Sequence, residues 1–253
     1  MDKMKKNRIK KFLTVALAVG VLSTTSVIPA FASVTPTTNQ AVSSTTAKST
    51  SLSKSDKDTL NKWMKQYGVD DSTREALIAK YENGQLWDSI TNSKSPTKIE
   101  KLDDNSVKRT YADGSISISS ISGGSKTTTE SNGSISINSV GGGTSTSGSG
   151  YINIKGATVS EYQGVVNAQF LADYTLVNGG MDYITKVYNK KVVVIGGAAS
   201  GVTLTMIQKQ ETLNDPAEAE LAFDVTVYSG GGSANGWLQL FVGNNSAYDD
   251  WSF

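Results

Sequence analysis

From residue 151 to the end of the chain, apolar and polar side chains alternate with the two-residue period of strands that bury one face. Val166, Ala168, Phe170, Ala172, Tyr174 and Leu176 hold one side of a long run, and Asn167, Gln169, Asp173 and Thr175 hold the other. Ala219, Leu221, Phe223, Val225 and Val227 alternate in the same way with Glu218, Glu220, Asp224 and Thr226. Further β-patterned runs lie at 191–195, 202–207 and 237–242, divided by Asn-Gly-Gly, Gly-Gly-Ala-Ala-Ser-Gly and Gly-Gly-Gly turns. Short strands with such turns and no helical crossover predict a mainly β chain whose residues 151–253 form an antiparallel β-sandwich or barrel.

Ahead of that domain the period changes. Across 53–92, Leu60, Trp63, Met64 and Tyr67 recur at i, i+3, i+4 and i+7, Leu77, Ile78 and Tyr81 share a second face, and Leu86, Trp87 and Ile90 mark a third short turn. Ser55 with Asp58 and Ser72 with Glu75 have the spacing of capping boxes at two helix starts, and Gly68 and Gly84 stand where the helices should end. So small a helical unit is marginal alone, and it is expected to pack on another part of the chain or on a partner.

Ser, Thr and Gly supply 29 of the 46 residues from 105 to 150. Asp113-Gly-Ser-Ile-Ser-Ile-Ser-Ser-Ile121 is repeated 19 residues later as Asn132-Gly-Ser-Ile-Ser-Ile-Asn-Ser-Val140. Asp-Gly and Asn-Gly favour two-residue hairpin turns, because both positions need positive φ. Ile116/Ile118 and Ile135/Ile137 then alternate with polar residues as a strand does. Residues 105–140 are therefore expected to form a β-hairpin repeat, 141–150 a Gly/Ser tether, and the Ser/Thr-rich 33–52 a disordered linker.

The front of the chain is different again. Lys3, Lys5, Lys6, Arg8, Lys10 and Lys11 precede an apolar run at 12–22, and Pro29-Ala30-Phe31-Ala32 closes the segment, the order of a secretory signal peptide over 1–32 cleaved after Ala32. The apolar run of 11 residues is too short to span a bilayer as a helix. The leader takes six of the 24 basic residues and one of the 23 acids, so the remainder holds 18 and 22 and is mildly acidic. The 53–92 segment carries six basic and seven acidic residues. Its helix–turn–helix outline and the chain as a whole thus lack the positive charge that nucleic acid demands. The expectation is a secreted or envelope-associated protein with no membrane span after cleavage and no nucleic-acid partner.

The sequence contains no His and no Cys. That removes Ser-His-Asp and Cys-His nucleophiles, His- or Cys-ligated zinc, disulfides and lipidated cysteine. The remaining catalytic currency is carboxylate. A glycosidase needs two carboxyls facing each other across a cleft, whereas Glu218, Glu220 and Asp224 share one strand face and read as a solvated outer surface. Asp113-Gly-Ser lacks the order of an aspartic-protease motif. Ser95 and Lys98 have the spacing of a Ser-Lys pair but sit in a polar, Pro-containing connector, and Gly196, Gly197 and Gly201 do not have dinucleotide-loop spacing. Asn244, Asn245, Asp249 and Asp250, like Asp103 and Asp104, do not follow a calcium-loop pattern and read as solvated turns. No catalytic, cofactor or metal residue is assigned, and the chain is expected not to be an enzyme.

The C-terminal aromatics suggest binding instead. Tyr151, Tyr162, Tyr183, Tyr188, Tyr228, Trp237, Tyr248 and Trp251 lie outside or at the ends of the main strand runs. Exposed rings stack on ligands and buried ones pack a core. Trp237, Trp251 and Tyr248 are the candidate ligand platform, with cell-wall polysaccharide or another envelope component as partner. A pore-forming role for the alternating 113–140 stretch ranks lower, because its apolar faces are far shorter than the roughly 9–11 residues a membrane strand needs.

Asn189, then Val194-Ile195-Gly196-Gly197-Ala198, Val202-Thr203-Leu204-Thr205 and Trp237-Leu238-Gln239-Leu240, resemble a secreted C-terminal β-domain of Gram-positive bacteria whose function is undetermined. Gly84-Gln85-Leu86-Trp87-Asp88-Ser89 and Tyr111-Ala112-Asp113-Gly114-Ser115 are similar to segments that recur in exported proteins of the same bacteria. The resemblance implies an exoprotein and carries no catalytic residues with it.

Overall fold

The computed structural model describes residues 51–91, 94–122, 144–148, 150–227 and 232–252. The expected signal peptide, the Ser/Thr linker up to residue 50 and the second hairpin copy at 132–140 lie outside the described residues. Two helices lead the order, α1 (Lys54–Gln66) and α2 (Asp71–Glu82), and a single 3₁₀ turn at Asp88–Ile90 follows them. Eleven strands come next: β1 (Lys98–Lys101), β2 (Val107–Thr110), β3 (Ile116–Ser122), β4 (Thr144–Gly148), β5 (Tyr151–Tyr162), β6 (Val166–Val177), β7 (Tyr183–Val194), β8 (Gly197–Gln208), β9 (Ala217–Val227), β10 (Gly232–Gly243) and β11 (Ser246–Ser252).

The strands form two antiparallel sheets, which favours the sandwich over the barrel. One follows the path β1-β2-β3-β5-β6-β7, with β4 also paired to β5; the other is β11-β10-β9-β8. The two alternating runs of the sequence lie at the centre. Val166, Ala168, Phe170, Ala172, Tyr174 and Leu176 on β6 and Ala217, Ala219, Leu221, Phe223, Val225 and Val227 on β9 are buried, and both sets belong to one core that also takes in Leu60, Met64, Tyr81 and Trp87 of the helical segment.

The helices end where glycine predicts and start two residues earlier than the capping boxes suggest. Gly68 has φ +76°, with hydrogen bonds from Gly68 N to Lys65 O and from Val69 N to Met64 O; Gly84 repeats this geometry at +76°, the double closure of a left-handed C-cap. The N-caps are Ser53, whose Oγ accepts from Asp56 N at 3.1 Å, and Asp70, which accepts from Thr73 N at 2.9 Å. Ser72 is not a cap: its hydroxyl donates to the Asp70 carboxylate, and with the two bonds from Thr73 it holds the Asp70 pKa well below the usual carboxylate range.

The helical unit packs on the first sheet. The Tyr81 hydroxyl donates to Ile195 O at 2.6 Å, Lys108 Nζ donates to Tyr67 O at 2.6 Å, and the fully buried Trp87 donates through Nε1 to Leu77 O at 2.7 Å. The turn between β2 and β3 is the second anchor. Asp113 Oδ2 accepts from Lys80 Nζ at 2.7 Å and Asp88 N at 2.9 Å, its Oδ1 accepts from Ser115, and Ser115 Oγ accepts from Ser89 N at 3.0 Å. Asp113 thus joins α2, the 3₁₀ turn and the hairpin.

Three sequence expectations change here. The Asp113-Gly114 turn is not a two-residue one: Tyr111 N bonds Ser115 O, Gly114 N bonds Tyr111 O, and within this loop only Gly114 has positive φ, a three-residue loop closed by a glycine bulge. The same loop stands nine residues earlier as Leu102-Asp103-Asp104-Asn105-Ser106, with Asn105 at φ +64° and Ser106 bonded to Asp104, so the meander begins at β1. The expected tether at 141–150 contains strand β4, which pairs with the first half of β5 while β3 pairs with the second. Finally, β3 buries both faces. Ile116 and Ile118 lie on the same face as Lys108, toward the helices, and Ser117 and Ser119 on the other face are equally enclosed.

Candidate functional site

Strand register divides the proposed aromatic platform. On β10, Leu238, Leu240 and Val242 are fully buried, so Trp237, Gln239 and Phe241 take the outer face by alternation. The β10–β11 turn is the pair Asn244-Asn245, at φ +55° and +56°, which sets Gly243 opposite Ser246 and carries that parity into β11. Tyr248 is then opposite Phe241, Asp250 opposite Gln239 and Ser252 opposite Trp237, all outward. Trp251 is opposite Leu238 and packs against the core. The structure therefore removes Trp251 from the platform and supplies Phe241 in its place.

What remains is a continuous outer face. The Phe241 and Tyr248 rings stack at 5.0 Å between centroids and 19° between planes, and Tyr248 is 49% exposed. Trp237 lies in register between Ala222 and Ser252 and is half-buried. Between the aromatics, Gln239 Nε2 donates to Glu218 Oε1 at 3.1 Å and to Glu220 Oε2 at 2.6 Å, tying three side chains on two strands into one polar bar. Farther along, Asn235 Nδ2 donates to Asp224 Oδ1 at 2.6 Å. The Tyr248 hydroxyl is pushed above its ordinary pKa, first by partial burial and then by the carboxylates of Asp250 and Glu218.

A second cluster, not anticipated in the sequence, lies between the sheets. Arg109 Nη1 donates to Ser119 Oγ in a short contact, and Ser119 Oγ donates to Glu161 Oε2 at 2.6 Å. Glu161 is fully buried. Asp249, opposite the buried Leu240, approaches the same group from β11. Glu161 Oε1, Asp249 Oδ2 and Ser117 Oγ have no hydrogen-bond partner among the described residues. Desolvation pushes Glu161 up to about 8, against the opposing pull of Ser119 and Arg109, and raises Asp249 as well. Two carboxyls and one guanidinium balance in charge when the carboxyl pair shares a proton, the direction in which burial drives both Glu161 and Asp249. The reading of Asp249 as a solvated turn residue fails, because it lies on the inward side of a strand.

At the Asn244-Asn245 end, two further carboxylates serve the backbone. Asp182 accepts from Val177 N and Asn245 N, both at 2.7 Å, and Glu211 accepts from Asp182 N at 3.0 Å and Asn244 N at 2.8 Å. These bonds fix the turn that sets the register of β11. Among the described residues no group of three or more acidic side chains is arranged to hold a metal ion. No protein-family model, characterised protein or solved structure matches the chain.

Proposed function

We propose that this chain is an exported, non-enzymatic binding protein of the cell envelope, taking wall glycan on the outer face of its four-stranded sheet. Export rests on the leader pattern ahead of Ala32. The observation that carries the binding site is the stacked Phe241–Tyr248 pair, in one outward surface with Trp237 and the Gln239–Glu218–Glu220 bar. Outward aromatic rings beside fixed hydrogen-bonding groups suit a ligand with flat apolar faces and a polar rim, which is the chemistry of a sugar chain.

The test is co-sedimentation of the secreted chain with insoluble wall polysaccharide, comparing the wild type with Trp237→Ala and Tyr248→Ala. Both variants should lose retention at least tenfold while melting within a few degrees of wild type. Retention by both variants equal to wild type, or no wild-type binding to any glycan, would overturn the reading. Hydrolysis of the polymer, abolished by Glu220→Gln, would make the chain an enzyme instead.

A further inference from the structure

The two sheets carry opposite charge. The strands of the first sheet hold eight basic residues (Lys98, Lys101, Lys108, Arg109, Lys155, Lys186, Lys190 and Lys191) against three acids, Glu100, Glu161 and Asp173. The four strands of the second hold no Lys or Arg and five acids, Glu218, Glu220, Asp224, Asp249 and Asp250. The nearest lysine to these strands along the chain, Lys209, follows the end of β8. Asp249 points inward, which leaves four carboxylates on the face that carries Trp237, Phe241 and Tyr248.

The placement of these acids bears on what can dock. Asp250, Gln239 and Glu220 occupy one cross-strand row, and Tyr248, Phe241 and Glu218 the next, so each aromatic has a carboxylate beside it or one row away. Gln239 spends both amide hydrogens on Glu218 and Glu220, which sets those carboxylates in place without cancelling their charge. A polyanion brought to this surface would meet a fixed negative field, whereas an ammonium group would be drawn both to the carboxylates and to the faces of the rings. A fully neutral glycan would stack on the rings and could donate its hydroxyls to the acids, but it would gain nothing from their charge.

We propose that the ligand of this face is a glycan bearing unacetylated amino groups, a polymer of amino sugars bound in its ammonium form, which mildly acidic solution favours. The inference rests on the glycan-binding reading above and narrows its ligand. Its test compares one polymer backbone in two states, chitin and partly N-deacetylated chitin, together with a polyuronate and oligolysine, all against the secreted chain. Deacetylation should tighten binding at least tenfold at low salt, with the advantage falling as ionic strength rises, and the polyuronate should not bind. The double variant Glu220→Gln/Asp250→Asn should lose the preference while still binding the acetylated polymer weakly; because acetylation alters only the ligand, the comparison stands even if the variant folds poorly.

Equal affinity for the two chitins, or preference for the polyuronate, overturns the amine assignment and leaves glycan binding intact. Oligolysine bound as tightly as the deacetylated polymer shows that charge alone suffices and overturns it too. Failure to bind any of the sugar polymers overturns the underlying reading.

Discussion

The two sheets of this sandwich begin from the same alternating pattern and end in different situations. The seven-strand sheet is covered by the second sheet on one face and, at its β2–β3 end, by the helical unit on the other. Its residues at that end are enclosed even when they are serine. The four-strand sheet buries one face in the core, and on the other it sets half-exposed rings and carboxylates around the buried Gln239 in place of an apolar cover. Period alone tells how many faces a strand can bury, and the supply of covering elements decides how many it does bury.

The largest expected effect separates the two sheets by their tryptophans. Trp87→Ala empties a fully buried site and removes the Nε1 bond to Leu77 O, so it should destabilise the fold by about 3–5 kcal/mol in urea titration. Trp237→Ala, on the outer face, should cost less than about 1 kcal/mol. Similar losses at both positions would mean that the outer face is part of the core.

The buried carboxyl should dominate the pH response. The folded chain holds the Glu161 proton up to about 8, whereas the unfolded chain releases it near 4.5. Between those values the folded state binds more protons, so stability must fall as pH rises, by up to about 1.4 kcal/mol per pH unit. The loss is complete above the folded value and absent below the unfolded one. Glu161→Gln should flatten that slope in urea titrations from pH 5 to 8; an unchanged slope would place the titrating group elsewhere.

Two glycines with nearly the same backbone refine the view of the covered sheet. A Cβ at Gly164, φ +77°, would meet the Trp87 ring at 2.8 Å and the Trp63 ring at 2.9 Å, whereas one at Gly68, φ +76°, would meet nothing within 4 Å. Gly68→Ala should cost about 1–2 kcal/mol from backbone strain alone, and Gly164→Ala measurably more in the same thermal melts. Equal costs would show that the helical unit is only loosely seated.

Much of the fold was legible. The buried runs of β6 and β9 were visible as alternation, and Gly68 and Gly84 as helix ends, because each rests on a local rule. What escaped depended on register or cover. The inward turn of Trp251 follows from Asn244-Asn245 acting as a two-residue turn, a signal present in the sequence but readable only once that turn type is assigned. The tight loops at Asp104 and Asp113 share a nine-residue spacing that the longer Ile-Ser repeat obscured. The burial of Ser117, Ser119 and Glu161 had no local signature, since it is imposed by β11 arriving from the far end of the chain. Of the candidate platform, Trp237 and Tyr248 lie on the outer side of the second sheet, while Phe241, on the same side, was concealed within an apolar run.

The chain contains four tryptophans, at positions 63, 87, 237 and 251, and their indole N–H resonances report the helical unit, the outer face and the core separately. Titrating the ¹⁵N-labelled chain with soluble amino-sugar oligomers should shift the Trp237 signal progressively and leave those of Trp63 and Trp87 in place. Movement of Trp63 or Trp87 with Trp237 unmoved would put the ligand on the other sheet and contradict the account.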